Sequence, residues 1–225
     1  SGAEALIRWN SRKYGFIGPN TFIPLLEDSA LIIPLGRWII NTAAKACNRW
    51  ITSIPDFVMH INLSFVQIVK SNIVKDVLEN IERYSAANNH YVFEITETIE
   101  MDQIPAVQNV FKEFVKNEFR FAIDDFGTGY SNYGYMRDRT FDIVKVDRSF
   151  VTDIDKLKDN YLMVSFIIKM AHEMGLHVCI EGVETKEELS CVKKLGADYI
   201  QGYYYGKPVC LQDFEEQHLK RFVLG

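Results

Sequence analysis

The sequence predicts an α/β protein whose parallel strands close into a (β/α)8 barrel. Short runs rich in β-branched and aromatic residues alternate with amphipathic helical patterns along nearly the whole chain. Strand alternating with helix means βα units and a parallel sheet. Nearly every strand candidate also ends in a charged or amide side chain: Glu4, Asn62, Glu94, Asp124 with Asp125, Lys145, Glu181 and Gln201. An open sheet gathers ligands at one crevice, so few of its strands would carry such groups. A barrel brings every strand C-terminus to one face. Finally, the 225 residues fall a little short of the roughly 250 typical of one such barrel. No linker, low-complexity segment or charge block marks a boundary, so a single domain over 1–225 is expected.

The strand candidates are residues 3–9, 58–63, 91–96, 120–126, 141–147, 177–183 and 199–205. A helix is expected over 36–50. Across 71–87, Ile73, Val77, Leu78, Ile81 and Tyr84 keep one helical face. Pro105 suits a first helical turn, followed by Val107, Phe111, Phe114 and Val115. Leu162, Phe166, Ile167 and Met170 repeat the pattern before Gly175. Thr185 and Glu188 form a capping box ahead of Leu189, Val192 and Leu195, with a stop at Gly196. The count is seven strands where a closed barrel has eight, and the first begins almost at residue 1. The chain is therefore expected to lack its first strand, leaving a gap beside the Glu4 strand or a substitute strand filling it.

Bulk composition narrows the function. Thirty acids against 25 bases, with pI near 5.6, argue against a general binder of DNA or RNA duplexes, which would carry a basic stripe. No apolar run approaches the ~20 residues needed to span a bilayer, and the chain opens without a signal peptide. No membrane contact by this domain is expected. Cys47, Cys179, Cys191 and Cys210 are scattered with no Cys-x-x-Cys pair, which speaks against structural zinc and fits a reducing cytoplasm.

Alternation places Glu4 with Arg8, Asn62 with Ser64, Lys145 with Asp147, and Cys179 with Glu181 on common faces. Asp124 and Asp125 are adjacent, so a regular strand cannot aim both inward. The Gly127-Thr128-Gly129 that follows predicts that the strand ends there and frees Asp125 to turn. Five carboxylate positions, an amide and a lysine at one barrel mouth would repel one another without compensation. Hard divalent cations supply it, and carboxylate with amide oxygen suits magnesium or manganese. Adjacent aspartates allow one to bridge two ions about 3.5–4 Å apart, the clamp of phosphoryl chemistry. Each residue also has a plainer reading: a solvated strand-end acid, a turn asparagine, a Lys145–Asp147 or Arg8–Glu4 pair. The five histidines (His60, His90, His172, His177, His218) show no ligand spacing and are read as structural or solvated. Tyr203-Tyr204-Tyr205 is read as packing.

At these residues the chain resembles the EAL domain family of cyclic di-GMP phosphodiesterases. The resemblance is carried by Glu4-Ala5-Leu6-Ile7-Arg8-Trp9, Phe22-Ile23-Pro24-Leu25, Asn62-Leu63-Ser64 and Glu94-Ile95-Thr96-Glu97-Thr98. It continues through Asp124-Asp125-Phe126-Gly127-Thr128-Gly129-Tyr130-Ser131, Lys145-Val146-Asp147-Arg148-Ser149-Phe150-Val151, Glu181-Gly182-Val183-Glu184-Thr185, Gln201-Gly202-Tyr203-Tyr204 and Lys207-Pro208. It implies a modified TIM (β/α)8 barrel with two Mg2+ or Mn2+ ions. The first would be held by Glu4, Asn62, Glu94 and Asp124. The second would share Asp124 and add Asp125, with Glu181 as ligand or through water. Lys145 would contact the attacking water, and Gln201 would help hold that region. Glu97 resembles the glutamate that anchors the loop after Asp125, near the family's dimer contact. Leu6, Arg8 and Pro208 would meet the substrate, Arg8 at a phosphate. Glu181 is assigned as ligand and as general base.

The implied reaction is in-line attack of a metal-activated water on one phosphodiester of cyclic di-GMP, giving linear 5′-pGpG. The resemblance further implies a homodimer in the cytoplasm, attached in a longer protein to a sensory or GGDEF domain. Departures from the family pattern are Arg139-Thr140 where Leu-Pro is usual, the charged Arg137-Asp138-Arg139, and Ile180 in place of alanine. The family's first strand, with its Gln-Pro pair, has no counterpart before Ser1. Two other functions compete: a receptor that holds cyclic di-GMP without cleaving it, and magnesium-assisted proton abstraction beside a carbonyl. Retention of the ligand set favours hydrolysis over the receptor. The adjacent aspartates favour phosphoryl chemistry over proton abstraction.

Overall fold

The structure is a computed structural model and describes residues 1–96, 105–128 and 140–219. Glu97, the Gly129-Tyr130-Ser131 stretch and Arg137-Asp138-Arg139 lie outside the described residues, as does the side chain of His218. The chain forms two compact units, one of Ser1–Glu94, Gln103–Arg120 and Val209–Gly225, the other of Ile95–Asp102 and Phe121–Pro208.

In the first unit, β1 (Gly2–Ala5) is followed by a hairpin of β2 (Trp9–Ser11) and β3 (Gly15–Ile17). Helices α1 (Pro19–Asp28) and α2 (Ile32–Trp50) lead to β4 (Val58–Asn62). Helices α3 (Phe65–Lys70) and α4 (Ile73–Ile81) precede β5 (Tyr91–Thr96) and α5 (Pro105–Lys116). Strand β4 pairs in parallel with β1 on one side and β5 on the other. No other described strand pairs with β1, which accords with the expected gap beside the Glu4 strand. The expected strand over 3–9 stops at Ala5, and the chain turns into the antiparallel hairpin instead. Gly15, with φ of 70°, supplies the left-handed residue that the hairpin needs.

The expected helix over 71–87 is the shorter α4, which ends at Ile81, and α3 before it was not expected. Ser64 caps α3 through a reciprocal box with Gln67, and Asn72 caps α4 by accepting from the Lys75 N–H. The core of this unit holds Ile40, Cys47, Phe57, Ile61, Tyr91, Phe93 and Phe114, none more than 1% exposed. Each such large apolar side chain contributes about 1.5–3 kcal/mol on burial. Burial also pushes the Cys47 thiol up to about 11, so it behaves as a small apolar group. A C-terminal helical segment (Leu211–Phe214) returns to this unit, stacking Phe214 on Trp50 at 4.8 Å while Glu215 accepts from the Trp50 indole at 2.9 Å.

The second unit runs β6 (Arg120–Phe126), β7 (Ile143–Val146), α6 (Lys158–Glu173), β8 (His177–Ile180), α7 (Lys186–Leu195) and β9 (Tyr199–Ile200). The strands are parallel in that order. All four residues of β7 are buried, as both-face coverage of a parallel strand requires. Strand β8 stops at Ile180, short of the expected 183, because the chain turns at Gly182. Tyr203, Tyr204 and Tyr205 lie beyond β9 and are exposed, so they are not the packing residues that sequence reading made them.

Helix α7 begins with the expected capping box, and Gly196 ends it at φ of 90°. The Glu188 carboxylate accepts from the N–H groups of Glu184, Thr185 and Asp153. Burial opposes its charge, but these three donors outweigh burial and hold the carboxyl below its usual range. The stability this supplies is present above the unfolded pKa of about 4.3 and is lost as pH falls through the folded value. Glu188→Gln is therefore expected to cost about 1–3 kcal/mol at pH 7 in urea unfolding. The variant's deficit should shrink as the pH is lowered towards 3.

Candidate functional site

The second unit gathers four of the expected site residues. Lys145 sits on β7 between Val144 and Val146, so its side chain points opposite to theirs. It is 1% exposed, and its Nζ lies 3.0 Å from Asp124 Oδ1 and 2.8 Å from Glu181 Oε1. The plainer pairing of Lys145 with Asp147 does not form. Asp147 instead accepts from the Ser149 N–H and caps a 3-10 turn over Arg148–Phe150.

Both aspartates come from one irregularity. Ile123 pairs with Val144 and Phe126 with Val146, so β6 spends three steps where β7 spends two. The extra residue is a β-bulge, which lets neighbouring side chains share a direction. Asp125 takes φ of 54°, the left-handed region that aspartate tolerates better than most residues. The strand ends at Phe126, just before Gly127 as expected, but it is the bulge inside β6 that re-aims the pair.

One turn braces both flanking loops. A Cβ on Gly127, at φ of 97°, would come within 2.7 Å of the Phe150 ring. A Cβ on Gly182, at φ of 72°, would come within 2.2 Å of Arg148 Cβ. Glycine is needed at both positions by conformation and by space. The turn that follows Lys145 is thereby pressed against the residues that follow Asp125 and Glu181.

Carboxylate oxygens of Asp124, Asp125 and Glu181 lie within 4.8 Å of one another, the one group of this kind among the described residues. Ligands at about 2.1 Å around an octahedral ion sit about 3.0 Å apart when adjacent and about 4.2 Å when opposite. The spacing and the all-oxygen donor set fit a hard divalent cation. Gln201 is half-buried just past β9, and Pro208 is exposed.

The first unit holds the other expected donors. Asn62, at the end of β4, donates from Nδ2 to Glu4 Oε1 at 2.6 Å. Glu94 is 1% exposed, and one of its oxygens lies 2.7 Å from His60 Nδ1. Ser64 Oγ donates to Glu27 Oε1 at 2.6 Å. Leu6 is exposed, and Arg8 donates to the Ile7 carbonyl. Sequence reading missed His60 as a site residue, although its place two residues before Asn62 puts both on one side of β4. His172 and His177 do read correctly as structural, since both meet the Asp198 carboxylate.

Lys145 fixes the electrostatics of the second unit. Lys145→Met would leave Asp124 and Glu181 facing each other without their cation. In chelator, the variant is expected to lose about 3–5 kcal/mol in urea unfolding.

The chain is similar to known proteins in both sequence and fold. The chain matches the EAL domain model over residues 1–208. The bifunctional diguanylate cyclase/cyclic di-GMP phosphodiesterase MucR of Pseudomonas aeruginosa is 31% identical over 209 residues, 92% of this chain and 30% of that protein. The cyclic di-GMP phosphodiesterase PdeL of Escherichia coli is 32% identical over 212 residues, 93% of this chain and 58% of that protein. The solved PaMucR phosphodiesterase in complex with c-di-GMP superposes with a TM-score of 0.88 at 30% identity, over 95% of this chain and 87% of that one. The EAL enzyme Bd1971 in its cAMP- and cyclic-di-GMP-bound form gives 0.90 at 35% identity, over 99% of this chain and 60% of that one. The chain spans a third or less of the length of the first curated relatives. The fold is that of a TIM-type α/β barrel, with seven strands in its sheet among the described residues. Fold, motif order and acidic strand ends converge, and the chain belongs to the EAL domain family.

Proposed function

We propose that this domain hydrolyses cyclic di-GMP to linear 5′-pGpG. The observation that carries the reading is the buried Lys145 ammonium between Asp124 and Glu181, with Asp125 beside them. Relatives named as cyclic di-GMP phosphodiesterases, and a solved complex of one with c-di-GMP, support the choice of substrate.

In this reading Asp124, Asp125 and Glu181 would hold one Mg2+ or Mn2+, and Glu4, Asn62 and Glu94 would supply oxygen donors for another. Bound divalent cations would acidify the attacking water and neutralise the phosphate. Lys145 Nζ donates to the water oxygen and keeps the Asp124 and Glu181 carboxylates charged and aimed. Glu181 takes the water proton on a carboxylate oxygen. The exposed Arg8 guanidinium would turn from the Ile7 carbonyl to a substrate phosphate, where its fork matches two oxygens. As the new P–O bond forms, the bond to the 3′ oxygen breaks and that oxygen is protonated from solvent. Leu6 and Pro208 would border the substrate, Gln201 would support the Lys145 region, and Glu97 would anchor the loop after Asp125. We extend the reading to a homodimer in the cytoplasm, joined to a sensory or GGDEF domain. Among the described residues, no helix is long and apolar enough to cross a membrane.

Incubation with cyclic di-GMP and Mg2+, followed by chromatography, should yield pGpG. Asp124→Asn should lower the rate by about a hundredfold or more, and because it also removes a partner of the buried Lys145 it should melt below the parent. Tight binding without turnover in Mg2+ or Mn2+ would instead identify a receptor.

A further inference from the structure

His60 occupies a place to which the family resemblance gives no role, since the matching motif begins two residues later at Asn62. Strand periodicity puts His60 and Asn62 on one side of β4. The register sets His60 opposite Glu4 and Asn62 opposite Glu94. The side chains then reach diagonally: Asn62 to Glu4 at 2.6 Å, and His60 Nδ1 to Glu94 Oε1 at 2.7 Å. The Glu94 side chain is fully buried, and that of His60 is 19% exposed.

An ionised carboxylate only accepts, so Nδ1 carries the hydrogen and donates. This matters because the last torsion of a glutamate is soft and broad. A short bond to one oxygen sets the plane of the whole carboxylate and so the direction of its second oxygen. We infer that His60 is a positioning residue that orients the Glu94 carboxylate for metal ligation. The inference rests on the reading that Glu94 holds a metal ion. Partners of this kind, bonded to a ligand and not to the ion, typically change metal affinity by about 10–100-fold.

The test is Mn2+ titration of the whole chain, with free ion followed by electron paramagnetic resonance. The asparagine amide nitrogen of His60→Asn falls where Nδ1 lies, whereas the glutamine nitrogen of His60→Gln lies further out. His60→Asn should keep wild-type affinity. His60→Gln and His60→Leu should each weaken one bound equivalent by about 10–100-fold. Because Asn and Gln burden the strand alike, a general folding defect would lower both together. Unchanged binding in His60→Gln and His60→Leu overturns the inference and leaves the metal reading intact. Equal weakening in His60→Asn and His60→Gln overturns the donor role. A parent chain that binds no Mn2+ overturns the metal reading, and the inference with it.

Discussion

Burying an ammonium group is among the most costly things a strand can do, and Lys145 does it in the middle of β7. The two carboxylates at 3.0 and 2.8 Å help make that burial tolerable. The dependence runs both ways, because Asp124 and Glu181 are themselves largely withdrawn from water. Three consecutive strands of the second unit thus bear on one charge. The backbone follows from it: a bulge in β6, glycine turns after Asp125 and Glu181, and one 3-10 turn packed under both.

The two units meet the same problem of crowded acids by different means. In the second unit a full positive charge offsets part of the charge on the carboxylates. In the first, Glu4 receives an amide hydrogen and Glu94 an imidazole hydrogen, and the Asn62 amide carries no charge. An amide orients an acid without cancelling its charge. A carboxylate held by a neutral partner keeps more of its attraction for a cation than one shared with an ammonium.

Much of this was readable in the residues. The strand ends Glu4, Asn62, Glu94, Asp124, Lys145 and Glu181, and the caps Thr185 and Gly196, announce themselves through local spacing and local chemistry. The short α3 was not readable, because six residues are too few to show a helical period. The end of β1 at Ala5 was hidden inside a run, residues 3–9, that looked like one long strand. The bulge depends on how β6 registers against β7, which no single stretch of sequence encodes. His60 is the same kind of case: its role exists only through a neighbour 34 residues away.

Asp125 carries a last implication. An L-residue held in the left-handed region is disfavoured by roughly 1–2 kcal/mol, and glycine would sit there freely. Natural or laboratory selection for heat resistance alone would drift towards glycine at 125. The aspartate marks a place where robustness and chemistry pull in opposite directions, so the melting temperature of an engineered descendant is a poor guide to whether it still works.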